Sequence, residues 1–135
     1  MRFKVRGEMN YMEITCGTDI IEIERVKESI ENVGEKFLKR VFTDNEIKYC
    51  ESKKAQKYQH YAGRFAAKEA AFKAISKILD DKYSVCWKDF ETINDEQGRP
   101  SLILYNVDTT KIQSIDVSIS HCKSYATANV TLLLK

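Results

Sequence analysis

Alternation of apolar and polar residues marks both ends of the chain as β-strands. Residues 11–18 place Met12, Ile14 and Cys16 on one side and polar residues on the other, which is the period of a half-buried strand. Four later segments have the composition or the alternation of strands, at residues 90–93, 102–105, 115–119 and 126–134. Residues 94–100 form a turn between the first two of these.

The middle of the chain has helical spacing. The positions Ile23, Val26, Ile30 and Val33 predict an amphipathic helix that Gly34 closes. A short helical turn follows, with Phe37, Leu38 and Val41 directed inward. Thr43 and Glu46 have the spacing of a capping box, so a further helix is predicted to begin near Asp44.

The longest periodic stretch covers residues 55–79. Aromatic and aliphatic residues recur there every seven positions, at Tyr58, Phe65, Phe72 and Leu79. This pattern predicts one long core helix. The order of elements predicts an α+β fold, in which this long helix and shorter helices pack on a largely antiparallel sheet. We expect residues 1–10 to be an N-terminal extension that adds little to the fold and residues 11–135 to form a single domain.

Composition excludes several classes of function. The net charge of +2 is small and the basic residues alternate with acidic ones, which argues against a nucleic-acid binder. The four cysteines form no C-x-x-C pair, which argues against a zinc site and favours reduced thiols. No apolar run approaches the ~20 residues of a membrane span, and the first dozen residues lack the apolar core of a signal peptide. We therefore expect a cytoplasmic protein.

Two carboxylates stand in unusual positions. Glu69 falls on or beside the apolar face of the long helix, where it needs a cation or a hydrogen-bond network. An ion pair with Lys73, one turn further on, is one interpretation, and a functional carboxylate is the other. Asp19 follows Gly17 and Thr18 where the first strand is predicted to end. It either caps the next helix or binds Mg²⁺ together with Glu69.

Several cationic residues also have two interpretations. His121 follows a predicted strand, so it is either a turn histidine or part of a phosphate pocket with Arg64, Lys68 and Lys73. A basic set is either a solvated face or a docking surface for an acidic partner. Its members are Lys27, Lys36, Lys39, Arg40, Lys48, Lys53, Lys54 and Lys57.

Six groups of residues, in this order, resemble the holo-acyl-carrier-protein synthases, the small single-lobed type of phosphopantetheinyl transferase. They are G-T-D-I at 17–20 with Glu22 and Arg25; F-L-K-R-V-F-T at 37–43 with Glu46; A-G-R-F-A-A-K-E-A at 62–70 with Lys73 and Ala74; Trp87 with Asp89; Asp95 with G-R-P at 98–100; and V-S-I-S-H at 117–121 with Tyr125 and Ala126. The aspartate motif and the F-A-A-K-E-A block are specific to this superfamily.

The resemblance implies an enzyme that transfers 4'-phosphopantetheine from coenzyme A to a serine of an apo acyl carrier protein, as in fatty acid biosynthesis, and releases adenosine 3',5'-bisphosphate. It implies Mg²⁺, with Mn²⁺ as an alternative, held by Asp19 and Glu69. It places Arg64, Lys73, Gly98, Pro100 and His121 against coenzyme A and Arg25 against the acidic carrier. It also implies a homotrimer with active sites between subunits.

The implied chemistry depends on positioning and on neutralising phosphate charge. Lys73 supplies charge, and the serine proton passes to Glu69 or to a water that Glu69 holds on the metal. One segment departs from the family. Residues 75–79 replace a glycine-threonine-glycine loop, so either the helix continues for a turn or Lys77 substitutes charge for backbone contacts. Two other functions stay open: a non-catalytic relative that binds carrier proteins, and a metal-dependent nucleotide phosphohydrolase.

Overall fold

The computed structural model describes residues 2–4 and 11–135, with side chains from Met12 onward. The helices are α1 (Ile23–Val33), α2 (Glu35–Val41), α3 (Asp44–Glu51) and α4 (Lys57–Ile75). The strands are β1 (Arg2–Lys4), β2 (Tyr11–Glu22), β3 (Phe90–Asn94), β4 (Pro100–Leu104), β5 (Ile112–His121) and β6 (Tyr125–Leu134). No helix in these described ranges is long and apolar enough to cross a membrane.

The strands form two antiparallel sheets. The larger sheet has the order β1-β2-β6-β5, and β3 and β4 form a separate hairpin. Helices packed on antiparallel strands confirm the predicted α+β class. Of the predicted N-terminal extension, β1 pairs with β2 at Arg2↔Glu13, while residues 1 and 5–10 lie outside the described part of the chain.

Helix α4 lies against β2 and β6, and the face it buries is rich in alanine. The fully buried alanines of this helix are Ala62, Ala66, Ala67, Ala70 and Ala71. Tyr58, Phe65 and Phe72 are only partly buried. The predicted core helix is confirmed, although it covers Lys57–Ile75 rather than residues 55–79, and alanines rather than aromatic residues form the centre of its contact with the sheet. Small side chains let the helix axis approach the sheet closely, and the aromatic residues then fill the edges of the contact.

Strand β2 is longer than predicted. Its pairing with β6 continues from Glu13↔Leu134 to Glu22↔Tyr125, because the ladder of backbone hydrogen bonds continues past the end of the apolar alternation. Asp19 therefore lies inside a strand. The residue before α1 is Glu22, whose side chain makes no capping hydrogen bond, so the interpretation of Asp19 as a helix cap was wrong.

The short helices form a second core with the first half of α4. Ile23, Val26 and Ile30 of α1 are buried, whereas Val33 is 56% exposed because it lies in the last turn, where the helix leaves the core. The predicted capping box is present: Thr43 Oγ1 accepts from Glu46 N, and Glu46 Oε1 accepts from Thr43 N.

Candidate active site

Asp19, Glu69 and Arg25 line one cavity of about 350 Å³. The three residues come from β2, α4 and α1, so the cavity lies where the strand, the long helix and the first helix meet. The remaining lining residues are Ile20, Ile21, Glu22, Phe65 and Tyr125. The structure thus brings together both predicted metal ligands and the predicted carrier-binding arginine.

The crossing of β2 and α4 sets the positions of the two carboxylates. A Cβ atom on Gly17 would lie 1.9 Å from the backbone oxygen of Ala70. Only glycine allows this approach. Asp19 follows Gly17 by two residues and so faces the helix from the same side of the strand, and Glu69 directly precedes Ala70. The close contact between the backbones of β2 and α4 therefore places both carboxylates on the wall of one cavity.

Lys73 binds Asp19 rather than Glu69. Its Nζ atom lies 3.3 Å from Asp19 Oδ1 and donates to the carbonyl oxygen of Thr18 at 2.9 Å. Among the described side chains no ion pair joins Lys73 to Glu69, so that interpretation of Glu69 was wrong. The Lys73 side chain is 53% exposed, which leaves the ammonium group accessible to an anion.

Glu69 accepts a hydrogen bond from the indole of Trp87. The distance from Trp87 Nε1 to Glu69 Oε1 is 2.7 Å. Trp87 is among the residues that carry the family resemblance, but its role could not be predicted from the sequence. The two residues are 18 positions apart, and no local pattern indicates a contact over that separation.

The two carboxylates fit a hard divalent cation such as Mg²⁺. Within the described residues no cluster of three or more His, Cys, Asp or Glu side chains is arranged to hold a metal. The protein would therefore supply two oxygen ligands from Asp19 and Glu69. Mg²⁺ commonly binds proteins in this way, with waters and substrate phosphates completing its shell.

Arg64 belongs to a second group of polar residues. It is 97% buried and donates to Asn94 Oδ1, and Asn94 Nδ2 in turn donates to the carbonyl oxygen of Gly98 at 2.9 Å. Asn94 also pairs with Pro100 across the β3–β4 hairpin. Three of the predicted coenzyme A residues therefore meet around Asn94. Arg64 Nε is buried with no hydrogen-bond partner among the described residues.

His121 is linked to this second group through edge-to-face contacts between rings. Its ring lies 6.1 Å from that of His60, which lies 5.6 Å from that of Tyr49, and the Arg64 guanidinium lies 4.0 Å from the Tyr49 ring. Burial, together with the positive charges of Arg64, Lys53 and His121, lowers the pKa of His60 to about 4. His121 itself is exposed at the end of β5.

Comparison with known proteins identifies the family. Residues 15–130 match the family model of the 4'-phosphopantetheinyl transferase superfamily. The chain belongs to this superfamily. The holo-[acyl-carrier-protein] synthase of Ruminiclostridium cellulolyticum is 45% identical over 128 residues, which cover 91% of this chain and 94% of that protein. The resemblance stated from the sequence is thereby confirmed.

Solved structures of transferases in this superfamily share the fold. One is a holo-(acyl-carrier-protein) synthase from Bacillus anthracis in complex with CoA (3',5'-ADP), with a TM-score of 0.76 and 35% identity over 92% of this chain and 99% of that one. Another is the Helicobacter pylori enzyme in complex with coenzyme A, with a TM-score of 0.74 and 31% identity over 87% of this chain and 98% of that one.

The segment at residues 75–79, which the sequence predicted to differ from the family pattern, extends the end of α4 by one tighter turn. Helix α4 ends at Ile75 and a single 3₁₀ turn, Ser76–Ile78, follows. Lys77 forms an ion pair with Glu13 of β2. The charge of Lys77 is therefore already paired within the chain, which argues against its substituting for backbone contacts to a substrate.

Proposed function

We propose that the protein is a holo-[acyl-carrier-protein] synthase that requires Mg²⁺. In this proposal it transfers 4'-phosphopantetheine from coenzyme A to a serine of an apo acyl carrier protein and releases adenosine 3',5'-bisphosphate. One observation carries the proposal. Asp19 and Glu69, on separate elements, face the same cavity as Arg25, in a chain whose relatives are holo-[acyl-carrier-protein] synthases.

The residues of the cavity suit phosphoryl transfer. Asp19 and Glu69 would hold Mg²⁺, whose charge would neutralise that of the coenzyme A diphosphate. Lys73 lies beside Asp19 and would contact phosphate oxygens as a point charge. Glu69 also lines the cavity and is a candidate acceptor for the serine proton. A water that its carboxylate orients is the second candidate, since a metal-bound carboxylate is a weaker base.

Arg25 is suited to bind an acidic carrier protein. It lines the carboxylate cavity and also a neighbouring groove of about 460 Å³ that α1 forms with Ile21, Phe37 and Phe65. A carrier that paired its acidic residues with Arg25 would therefore bind at the edge of the cavity. Its serine would then approach Asp19 and Glu69. Attraction of this kind weakens as ionic strength rises.

We further propose that the complete site lies between two subunits of a homotrimer. Arg64 and Lys73 are nine positions apart on α4, about 13 Å along the helix axis. From this separation we infer that the group around Arg64 and His121 serves the Asp19–Glu69 cavity of a neighbouring copy. A mixture of Glu69→Gln and Arg64→Ala proteins, each inactive alone, should recover activity after the subunits are exchanged. Recovery would fail if each site were built within one chain.

Product release distinguishes the proposed transfer from the two alternatives. With coenzyme A and Mg²⁺, a transferase releases adenosine 3',5'-bisphosphate only when an apo carrier protein is present. A phosphohydrolase would release nucleotide without a carrier. A non-catalytic carrier-binding relative would bind the carrier and release nothing. Chromatography of the nucleotides from reactions with and without carrier separates the three outcomes.

A further inference from the structure

Trp87 makes a directed contact with one of the two candidate metal ligands. Its indole Nε1 donates to Glu69 Oε1 at 2.7 Å, at the short end of the range for an N–H donor to oxygen and typical of bonds to a charged carboxylate. Trp87 is the chain's single tryptophan, and its side chain is partly buried. The contact takes one oxygen of Glu69 and leaves Oε2 for another ligand.

The backbone that carries Trp87 is held by the helix that carries Glu69. Lys68, the residue before Glu69, donates from Nζ to the carbonyl oxygen of Trp87 at 3.0 Å and also to that of Phe90. Lys68 is fully buried and pairs with Glu46 at 2.6 Å. The same turn of α4 therefore anchors both ends of the contact between Trp87 and Glu69.

The indole ring contacts one aromatic neighbour and borders an apolar cavity. Its centroid lies 5.9 Å from that of Phe65. Trp87 also lines an apolar cavity of about 340 Å³, together with Glu69, Phe72, Val85, Cys86 and Phe90. The backbone contact with Lys68 and the ring contact with Phe65 therefore support the orientation in which the N–H group donates to Glu69.

We propose that Trp87 is a positioning residue for the metal site. Its indole N–H would fix the Glu69 carboxylate and leave Oε2 available to a cation that Asp19 would share. This inference rests on the proposed function, because it assumes that Glu69 binds the metal. Hydrogen-bond partners of metal ligands typically contribute about 10- to 100-fold to metal affinity. If Trp87 were only structural, it would contribute packing and would not contribute to metal affinity.

Mn²⁺ binding tests this role without measuring activity. Electron paramagnetic resonance titration should show that Trp87→Phe, which keeps an aromatic ring but removes the N–H, binds Mn²⁺ about 10-fold more weakly. The matched control is Phe72→Leu, which loosens the same apolar cavity and leaves the N–H in place, and its Mn²⁺ affinity should match that of the unaltered protein. Mn²⁺ should also quench the tryptophan fluorescence of the unaltered protein but not that of Glu69→Gln.

Three results would overturn the inference. Unchanged affinity in Trp87→Phe would show that the N–H has no role at the metal. An equal loss of Mn²⁺ affinity in Phe72→Leu would show that packing, and not the N–H group, accounts for the weaker binding in Trp87→Phe. Absence of Mn²⁺ binding in the unaltered protein would show that Asp19 and Glu69 do not form a metal site. In the first two cases the unaltered protein would still transfer phosphopantetheine, which separates failure of this inference from failure of the proposed function.

Discussion

Replacing Gly17 with alanine should destabilise the fold and separate the two carboxylates. The added Cβ would lie 1.9 Å from the oxygen and 2.9 Å from the carbon of the Ala70 carbonyl group, and 2.8 Å from the backbone nitrogen of Ala74. All three atoms belong to the backbone of α4, so no side-chain rotation can relieve the overlap. Strand β2 and helix α4 would have to move apart, and Asp19 and Glu69 would move with them.

The size of the effect follows from the atoms involved. Overpacking that side chains can partly absorb costs about 1–3 kcal/mol, and a clash with helix backbone should reach at least the upper end, about 3 kcal/mol. The whole domain is stabilised by about 5–15 kcal/mol. For a chain of this length, the melting temperature should fall by about 10 °C.

Gly63→Ala is the matched control. Within the described part of the chain, and apart from its sequence neighbours and the helix's own backbone, its added Cβ would meet one heavy atom within 4 Å, Ile119 Cγ2 at 2.9 Å, which is a side-chain methyl and not helix backbone. Gly63 lies within α4, where alanine is favoured over glycine by about 1 kcal/mol. Thermal and urea unfolding followed by circular dichroism should show little change for Gly63→Ala. A Gly17→Ala protein as stable as the unaltered one would refute this account of the crossing.

Three further predictions concern charge. Lys73→Met should strengthen Mn²⁺ binding by up to about fivefold, since an exposed pair with Asp19 is worth about 0–1 kcal/mol. The same change should weaken coenzyme A binding. Calorimetry that showed both affinities changing in the same direction would contradict this prediction. Arg25→Glu should raise the KM for the carrier more than that for coenzyme A. The control is Lys27→Glu, on the same helix but outside the carboxylate cavity and the neighbouring groove, which should raise the KM for the carrier less. Equal effects of the two variants in steady-state kinetics would refute the role of Arg25. The pKa of His60 is lowered from 6.5 to about 4, so its contribution to stability is complete above pH 6.5 and is lost as pH falls towards 4. In His60→Phe the free energy of unfolding, measured in urea, should therefore depend less on pH over this interval. An unchanged pH dependence would contradict the lowered pKa.

Features set by neighbouring residues could be predicted from the sequence. The Thr43–Glu46 capping box is present because both partners lie within one helical turn. The turn before Pro100 also follows from local chemistry: Gly98 has a φ of 83° and donates from its N–H to the carbonyl oxygen of Asp95. In both cases the atoms that make the structure are within four residues of each other.

Features set by tertiary contacts could not be predicted in the same way. The length of β2 depends on its pairing with β6, more than 100 positions away. The buried face of α4 depends on how closely the sheet approaches at Gly17. The candidate site depends on the Asp19–Lys73 and Glu69–Trp87 contacts. Periodicity indicated only that Glu69 needed a partner, and the fold determined which one it has.

The central claim is that the Asp19–Glu69 cavity transfers phosphopantetheine to a carrier protein. Its most direct test is the intact mass of an apo acyl carrier protein incubated with this protein, coenzyme A and Mg²⁺. We predict a gain of one phosphopantetheine group, which depends on Mg²⁺ and is lost in Asp19→Ala and Glu69→Ala. No gain with several carriers, or an undiminished gain with either variant, would contradict the account.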